Sequence, residues 1–463
     1  MRALVAIANY GDGNRPYLEQ LLATYRTMPI DISFVILSNI PKDLGKDVEV
    51  RVGVPSKNPW SLPFAHRTLF RERIDDFDFF IYSEDDTLLR WTTLKSFFEA
   101  SEILPQNEVP GFLRTEKAAD GRLHYSTCHS FFRWVPSSVC QRDGYLWAKF
   151  SNEHSALFIA SQQQLRRAIG SGGFPVEPHE GRFDMLVSAA TDFYTNCGFK
   201  RLICIDRIAD FSLPHLPNKY IGIMGLPAEE LSWQVSALRE IHAGNLPTCE
   251  LLQPETLLPG CFGSKHYREQ PDPVFYQMLD GAARNILVWG AGDGSFETDL
   301  QARGYNVSVY PLNAVMGECC RQRGLIVLPI DGKDLAVDGQ QFDAVVLRDV
   351  LHLVGKPQSV LGELRRVLRP GGRLVVRVPN FHDCRTLKSR LKDPGFRGAW
   401  TSERIGAVPF TVKSLSKLIE SAGFGGIVSK TLIPDRFQRV DLITLGLLSQ
   451  VFSPGIYLSG KKV

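Results

Sequence analysis

The chain has no C-x-x-C pair, no apolar run long enough to span a bilayer, and no marked excess of charge of either sign. Each absence excludes something. The nine cysteines, at Cys128, Cys140, Cys197, Cys204, Cys249, Cys261, Cys319, Cys320 and Cys384, are odd in number and scattered. That pattern disfavours both a disulfide scaffold and a structural zinc site, and it fits a reducing compartment. Small buried side chains account for them. The formal charge is +3, from 53 Lys and Arg against 50 Asp and Glu. Nucleic acid held by bulk charge would need a basic face, so no nucleic-acid partner is expected. The apolar run over 442–452 contains Thr444, Ser449 and Gln450 and is too short to cross a membrane. It reads as core, with membrane association not evident. No cleavage-type region follows the short apolar start at 4–8, which reads as a first buried strand. A cytoplasmic location is the expectation.

What is present is ordinary globular material. The 463 residues are 44% hydrophobic and 22% charged, enough for two or three domains with full cores. Residues 4–8 read as a strand, 16–27 as a helix opened by Pro16, and 32–37 as a second strand. A helix over 64–73 and a strand over 77–82 follow, and the strand runs into Ser83-Glu84-Asp85-Asp86. Strands separated by helices imply a parallel sheet covered on its faces. Ligands on such sheets collect at the carboxyl ends of the strands, where the three acids stand. Between 244 and 273 the prolines Pro247, Pro254, Pro259, Pro271 and Pro273 recur, which reads as a linker. A new alternation then begins: strands over 285–289, 307–310, 343–347 and 373–378, helices over 296–303 and 357–368. The fold class is α/β, with two doubly wound domains at 1–243 and 274–463.

Three like charges at the edge of a core call for a compensating cation or for solvent. A hard divalent cation takes carboxylate oxygens and can bridge a diphosphate. The strand at 4–8, the segment 32–38 and the strand ending in Glu84-Asp85-Asp86 resemble a GT-A fold glycosyltransferase with its acidic metal motif. The resemblance implies Mn²⁺ or Mg²⁺ held by Asp86 and Glu84, with Asp85 beside the nucleotide-sugar donor. It implies that Asn9 and Tyr10 hold the nucleotide. Ser188-Ala189-Ala190-Thr191-Asp192-Phe193 resembles the helix start where inverting members keep their base, which implies a catalytic Asp192, with Glu153 and Asp184 next in line. The usual pattern there is Glu-Asp, so Thr191 is a departure. The loop around His215 resembles one that adds a metal ligand. Arg67, near Trp60, Pro63 and His66, has a guanidinium fork suited to a diphosphate, and a helix-surface arginine is the plain alternative.

The second constellation is Gly290-Ala291-Gly292-Asp293-Gly294, after one strand and before one helix. Glycines there let the backbone turn tightly and approach a ligand. With Asp349-Val350-Leu351-His352, the turn Leu368-Arg369-Pro370-Gly371-Gly372 and Pro409-Phe410-Thr411, the loop resembles a class I S-adenosylmethionine-dependent methyltransferase over about 285–423. This implies that Gly290, Gly292 and Gly294 cradle the cofactor and that Asp331 meets its adenine. Two departures stand out. Members carry an acid where this chain has Val288, and a ribose-binding acid where it has Pro311. Asp293 and Asn313 are the polar residues near enough to compensate in part. Two readings follow, an active methyltransferase with altered cofactor contacts or a degenerate scaffold.

The leading expectation is a metal-dependent glycosyltransferase fused to a methyltransferase-like domain, acting on a glycan or lipid-linked acceptor. Its rivals are a methyltransferase whose first half only binds a sugar nucleotide, and a non-catalytic glycan-assembly protein.

Overall fold

The computed structural model describes residues 1–181, 183–252, 256–258, 261–279, 281–330, 335–384, 400–432 and 452–463. The chain divides into two compact units, Met1–Ser232 and Trp233–Val463.

In the first unit β1 (Arg2–Asn9), β2 (Asp31–Ser38), β3 (Val48–Val52), β4 (Phe79–Glu84) and β5 (Leu157–Ser161) form a sheet in the order β5-β4-β1-β2-β3. The first four strands are parallel and β5 runs antiparallel to β4. Residue parity sorts the core. Val5, Ile7, Phe34, Ile36 and Ile81 pack against Leu18, Leu21, Leu22 and Tyr25 of α1 (Arg15–Arg26). Leu4, Ala6, Val35, Leu37, Phe80 and Tyr82 pack on the other face, with Leu69 and Phe70 of α2 (Ala65–Glu72) and Phe193 of α3 (Met185–Thr195). Burial on both faces explains why these strands are continuous apolar runs rather than alternating ones. Two smaller four-stranded sheets add to the unit, and one places Ser212–Pro214 beside Leu113–Lys117.

The strand expected over 77–82 runs from Phe79 to Glu84. Pairing with β5 prolongs it, Leu157 facing Ser83, and Ala156 O accepts from Glu84 N at 2.9 Å. Glu84 therefore belongs to the strand, and Asp85 and Asp86 to the turn after it.

The second unit holds β6 (Asn285–Ala291), β7 (Asn306–Pro311), β8 (Ile326–Val327), β9 (Phe342–Arg348), β10 (Leu368–Pro379), β11 (Phe424–Thr431) and β12 (Gly455–Lys462). Their order is β8-β7-β6-β9-β10-β12-β11. The first five are parallel, and β12 is antiparallel to both neighbours. Ile286, Val288, Val307, Val309, Ala344, Val346 and Val375 build its core. The chain leaves β6 outward through β7 and β8, then returns to β9 on the other side. That reversal opens a crevice at the carboxyl end of β6.

The stretch expected to be a linker at 244–273 is packed onto the second unit. Leu251 N donates to Leu312 O at 2.9 Å, and Lys265 Nζ to Arg348 O at 2.7 Å. Its prolines shape a tied-down covering segment. None of the nine cysteines, all within the described residues, is in a disulfide. Among the described residues no helix is long and apolar enough to cross a membrane. The apolar run at 442–451 lies outside the described residues.

Candidate active sites

In the first unit, β1 and β4 are neighbours with Ala8 beside Glu84, so the residues just past both strands meet. Asp85 accepts from Asn9 Nδ2 at 2.5 Å and from Asn14 Nδ2 at 2.8 Å. Burial pushes Asp85 up to about 6 against the pull of those two amides. Asn9 Oδ1 is buried and has no hydrogen-bonding partner. Tyr10, next along, is 55% exposed.

Asp86 meets a residue 129 positions away: its Oδ2 is 3.3 Å from His215 Nε2. The small sheet makes this contact, since Pro214 pairs with Thr115 and brings His215 beside Glu116. His215 Nδ1 bonds Glu116 Oε1, whose other oxygen accepts from Tyr220 N at 2.8 Å. A carboxylate behind one ring nitrogen fixes the tautomer and aims the other nitrogen, as around metal-bound histidines. Burial would raise Asp86, but His215, with Arg114 and Lys219, holds it below the ordinary aspartate range. Glu84 is raised by burial and by Asp86. Arg114 and Lys219 both lie by the Tyr220 ring, at 5.1 Å. Sequence reasoning passed over Arg114 and Glu116, because nothing local marks them as neighbours of the acidic turn, and met Lys219 only as part of the loop around His215.

Among the described residues no group of three or more His, Cys, Asp and Glu side chains is arranged to hold a metal ion. Of the three metal ligands the resemblance implied, Asp86 and His215 meet and Glu84 does not complete a three-ligand group, while Asp85, expected beside the donor, is turned onto two amides. The donor pair that does form is Asp86 with His215. That pair suits Mn²⁺, which takes nitrogen and oxygen ligands and fills its remaining positions with substrate phosphates and water.

Arg67 and Asp192 are placed otherwise than the sequence suggested. Arg67 Nη2 lies 2.6 Å from Asp192 Oδ2, and both are about 5% exposed. The same carboxylate takes His179 Nε2 at 2.8 Å and Asn196 Nδ2 at 2.8 Å. Arg67 also donates to Phe174 O at 3.1 Å and Ala189 O at 3.2 Å. The guanidinium expected to meet a diphosphate and the carboxylate expected to act as base thus neutralise each other inside the core. The next acids in line are likewise occupied: Asp184 caps α3 through Val187 N, and Glu153 pairs with Lys149 at 3.2 Å.

In the second unit the glycine-rich loop follows β6 at the crevice. Gly290 has φ +79°, and a Cβ there would stand 2.7 Å from Val350 Cγ1. A Cβ on Gly292 would stand 2.1 Å from Tyr267 O, which accepts from Asp293 N at 2.6 Å. The covering segment therefore crosses the loop backbone to backbone. Gly294 caps α4 (Ser295–Ala302). Asp293 accepts from Ser295 N at 3.0 Å and lies 3.4 Å from Arg323 Nη2. Asn313 accepts from Met316 N at 3.0 Å and caps α5 (Ala314–Gln322). Asp293 and Asn313, expected to compensate for the missing acids, are thus engaged, Asp293 by Ser295 and Arg323 and Asn313 as the cap of α5. Val288 is buried between Val309 and Val346, so its position is core. Asp331 lies outside the described residues.

Lys265, Glu269 and Arg377, which the sequence reading did not select, gather here with Asp349 of the quoted motif. Lys265 Nζ bonds Glu269 Oε1 at 2.6 Å, and Glu269 Oε2 is buried with no hydrogen-bonding partner. Asp349, just past β9, has φ +50°, a conformation uncommon for a non-glycine residue and worth noting beside a crevice. Arg377 Nη1 pairs with its Oδ2, while its Oδ1 is buried without a partner.

A family model described as a methyltransferase domain matches residues 287–376, which run from β6 through most of β10. The second unit carries a methyltransferase domain. A demethylmenaquinone methyltransferase of Clavibacter sepedonicus is 36% identical over 100 residues, 20% of this chain and 41% of that protein. An uncharacterised methyltransferase of Mycobacterium tuberculosis is 34% identical over 106 residues, 22% of this chain and 43% of that protein. The chain thus spans less than half the length of these two methyltransferases. An uncharacterised protein of Methanocaldococcus jannaschii is 23% identical over 189 residues, 38% of this chain and 83% of that protein. Among solved structures, an S-adenosylmethionine-dependent methyltransferase from Thermotoga maritima is 22% identical, covering 40% of this chain and 85% of that one, with a TM-score of 0.31.

Within the methyltransferase domain Glu297 reports on the interior under the loop. Burial, then Glu269, pushes its carboxyl from an ordinary 4.5 up to about 8. The folded chain therefore holds a proton that the unfolded chain has released, and stability falls as pH rises from about 4.5 to about 8. Glu297→Gln should remove that slope. Urea unfolding should show the variant ahead of the parent by about 4 kcal/mol at pH 8 and by almost nothing at pH 4. Parallel pH profiles for the two proteins would count against a protonated Glu297.

Proposed function

We propose that the second unit transfers a methyl group from S-adenosylmethionine to an acceptor whose assembly the first unit serves, a glycan or glycolipid. The observation that carries the methyl-transfer reading is the glycine-rich loop at the sheet's reversal point, within the stretch that matches the methyltransferase family. The residues present suit this cofactor. Its cationic groups need anionic acceptors, and Glu269 keeps a buried carboxylate oxygen without a partner. Its carboxylate needs a cation, and Arg268 stands 3.9 Å from Asp293 beside the loop. S-adenosylmethionine supplies an electrophilic methyl group on a positively charged sulfur. This reading assigns to Asp349 Oδ1 the proton leaving the acceptor, with Arg377 holding the other oxygen. The test is transfer of labelled methyl from S-adenosylmethionine to a panel of saccharides and glycolipids by the full chain. Label in product that is lost in Asp349→Ala supports the reading. No label with any acceptor, from a chain that binds the cofactor, would argue for a degenerate domain.

A second activity in the first unit is favoured by one contact, His215 on Asp86 with Glu116 behind it. It supports cation-dependent transfer from a nucleoside diphosphate sugar. A divalent cation would neutralise the leaving diphosphate. Arg114 and Lys219 add positive charge on the same side. On this reading Asn9 and exposed Tyr10 meet the nucleoside. Asp86→Ala is expected to abolish Mn²⁺-dependent turnover of a nucleotide-sugar panel, and Asp86→Asn to come close to that, since charge holds the cation. Full turnover in Asp86→Ala would remove this second activity.

A further inference from the structure

The acid that grips ribose hydroxyls in dinucleotide-type folds stands at the end of the second strand of the unit. Here that strand is β7, and it ends in Pro311, whose side chain can neither accept nor donate. Asp293 is held by Ser295 and Arg323, and Asn313 caps α5. A carboxylate nevertheless arrives at this strand end from the covering segment. Glu250 forms an antiparallel bridge with Asn313, two residues past Pro311. The adjacent Leu251 N donates to Leu312 O at 2.9 Å. Asn313 Nδ2 lies 3.4 Å from Glu250 Oε1.

We propose that Glu250 supplies the carboxylate that holds the ribose hydroxyls of the cofactor, in place of the acid missing at Pro311. The proposal rests on the reading of this unit as an S-adenosylmethionine site. The geometry gives it three supports. Main-chain pairing fixes the position of residue 250 relative to the end of β7. The amide of Asn313 is itself oriented, because its oxygen accepts from Met316 N and so turns its nitrogen outward to Glu250. Glu250 is half-buried, so a bond to it is less weakened by solvent than one at the surface.

The segment also explains why a proline is tolerated at 311. Once the carboxylate comes from outside the strand, the strand end needs only an apolar filler, and Pro311 lies against Gly317 of α5.

The experiment is calorimetric titration of the full chain with S-adenosylhomocysteine and with its 2′,3′-dideoxy analogue. Glu250→Gln should weaken S-adenosylhomocysteine about 10- to 100-fold, the loss expected for charge-assisted bonds to hydroxyls. It should change the dideoxy analogue little, since the partners of the carboxylate are already gone. Adding Pro311→Asp to Glu250→Gln should restore part of the lost affinity. Thermal unfolding of each variant checks that the fold is retained. Three results would overturn the proposal: unchanged affinity in Glu250→Gln, tighter binding, which would make the segment a cover over the site, or an equal loss for both ligands, which would make Glu250 a packing residue. No binding of either ligand by the unaltered chain would instead remove the cofactor reading itself, and the proposal with it.

Discussion

Gly292→Ala is expected to destabilise the second unit by about 3 kcal/mol and to abolish cofactor binding. The added Cβ would stand 2.1 Å from Tyr267 O and 2.8 Å from its carbonyl carbon. Both are backbone atoms, so no side chain can swing aside. The covering segment would have to lift, breaking the 2.6 Å bond from Asp293 N to Tyr267 O. Overpacking of this kind costs about 1–3 kcal/mol, and a lost buried backbone bond adds about 1–3. Lys265, Arg268 and Glu269 ride on the same segment, so their placement goes with it. Gly362→Ala is the control. It lies in the helix Pro357–Val367 with nothing within 4 Å of a new Cβ, and alanine there should stabilise by about 0.5–1 kcal/mol. Denaturant unfolding of the two variants measures both effects. Equal, small shifts would mean that the segment does not press on the loop.

The second large effect is expected at the buried ion pair of the first unit. Arg67→Ala should destabilise by about 3–5 kcal/mol, because it strands the Asp192 carboxylate inside the core. It also leaves Phe174 O and Ala189 O without their donor and removes the guanidinium from the face of Phe64, 4.2 Å away. Asp192→Asn should destabilise in the same direction, by leaving the guanidinium uncompensated. A purely catalytic Asp192 would behave differently, with stability unchanged and turnover lost. Thermal melts of the two variants beside their turnover on nucleotide sugars separate a structural from a chemical role.

The same residues show what could be read from the sequence. The central parallel strands of the two large sheets were legible because they are apolar runs bounded by turns, and the proline at the start of α1 marked a helix; β3, β5, β8, β11, β12 and the two small sheets were not read. The glycine-rich loop was legible because its signal is local, five consecutive residues after a strand. The acidic turn was legible for the same reason. What the sequence could not display is which distant residues arrive there. His215 comes to Asp86 across 129 positions through a three-residue strand too short to leave a pattern. Arg67 and Asp192 were legible as polar residues near a site, but not as each other's partners. Their pairing depends on how α2 packs against α3, which periodicity does not encode. The proline-rich stretch misled for a physical reason. Prolines mark the absence of regular structure, and a linker and a tied-down covering segment share that absence. Only hydrogen bonds such as that from Leu251 N to Leu312 O distinguish them.

The central claim is that the crevice at the end of β6 holds S-adenosylmethionine. Isothermal titration of the full chain with S-adenosylmethionine tests it most directly. The account predicts one site per chain, with an affinity in the micromolar range, lost in Gly292→Ala and retained in Asp86→Ala. Heat of binding that vanishes in Asp86→Ala and survives in Gly292→Ala, or no binding at millimolar ligand by a folded chain, would contradict it.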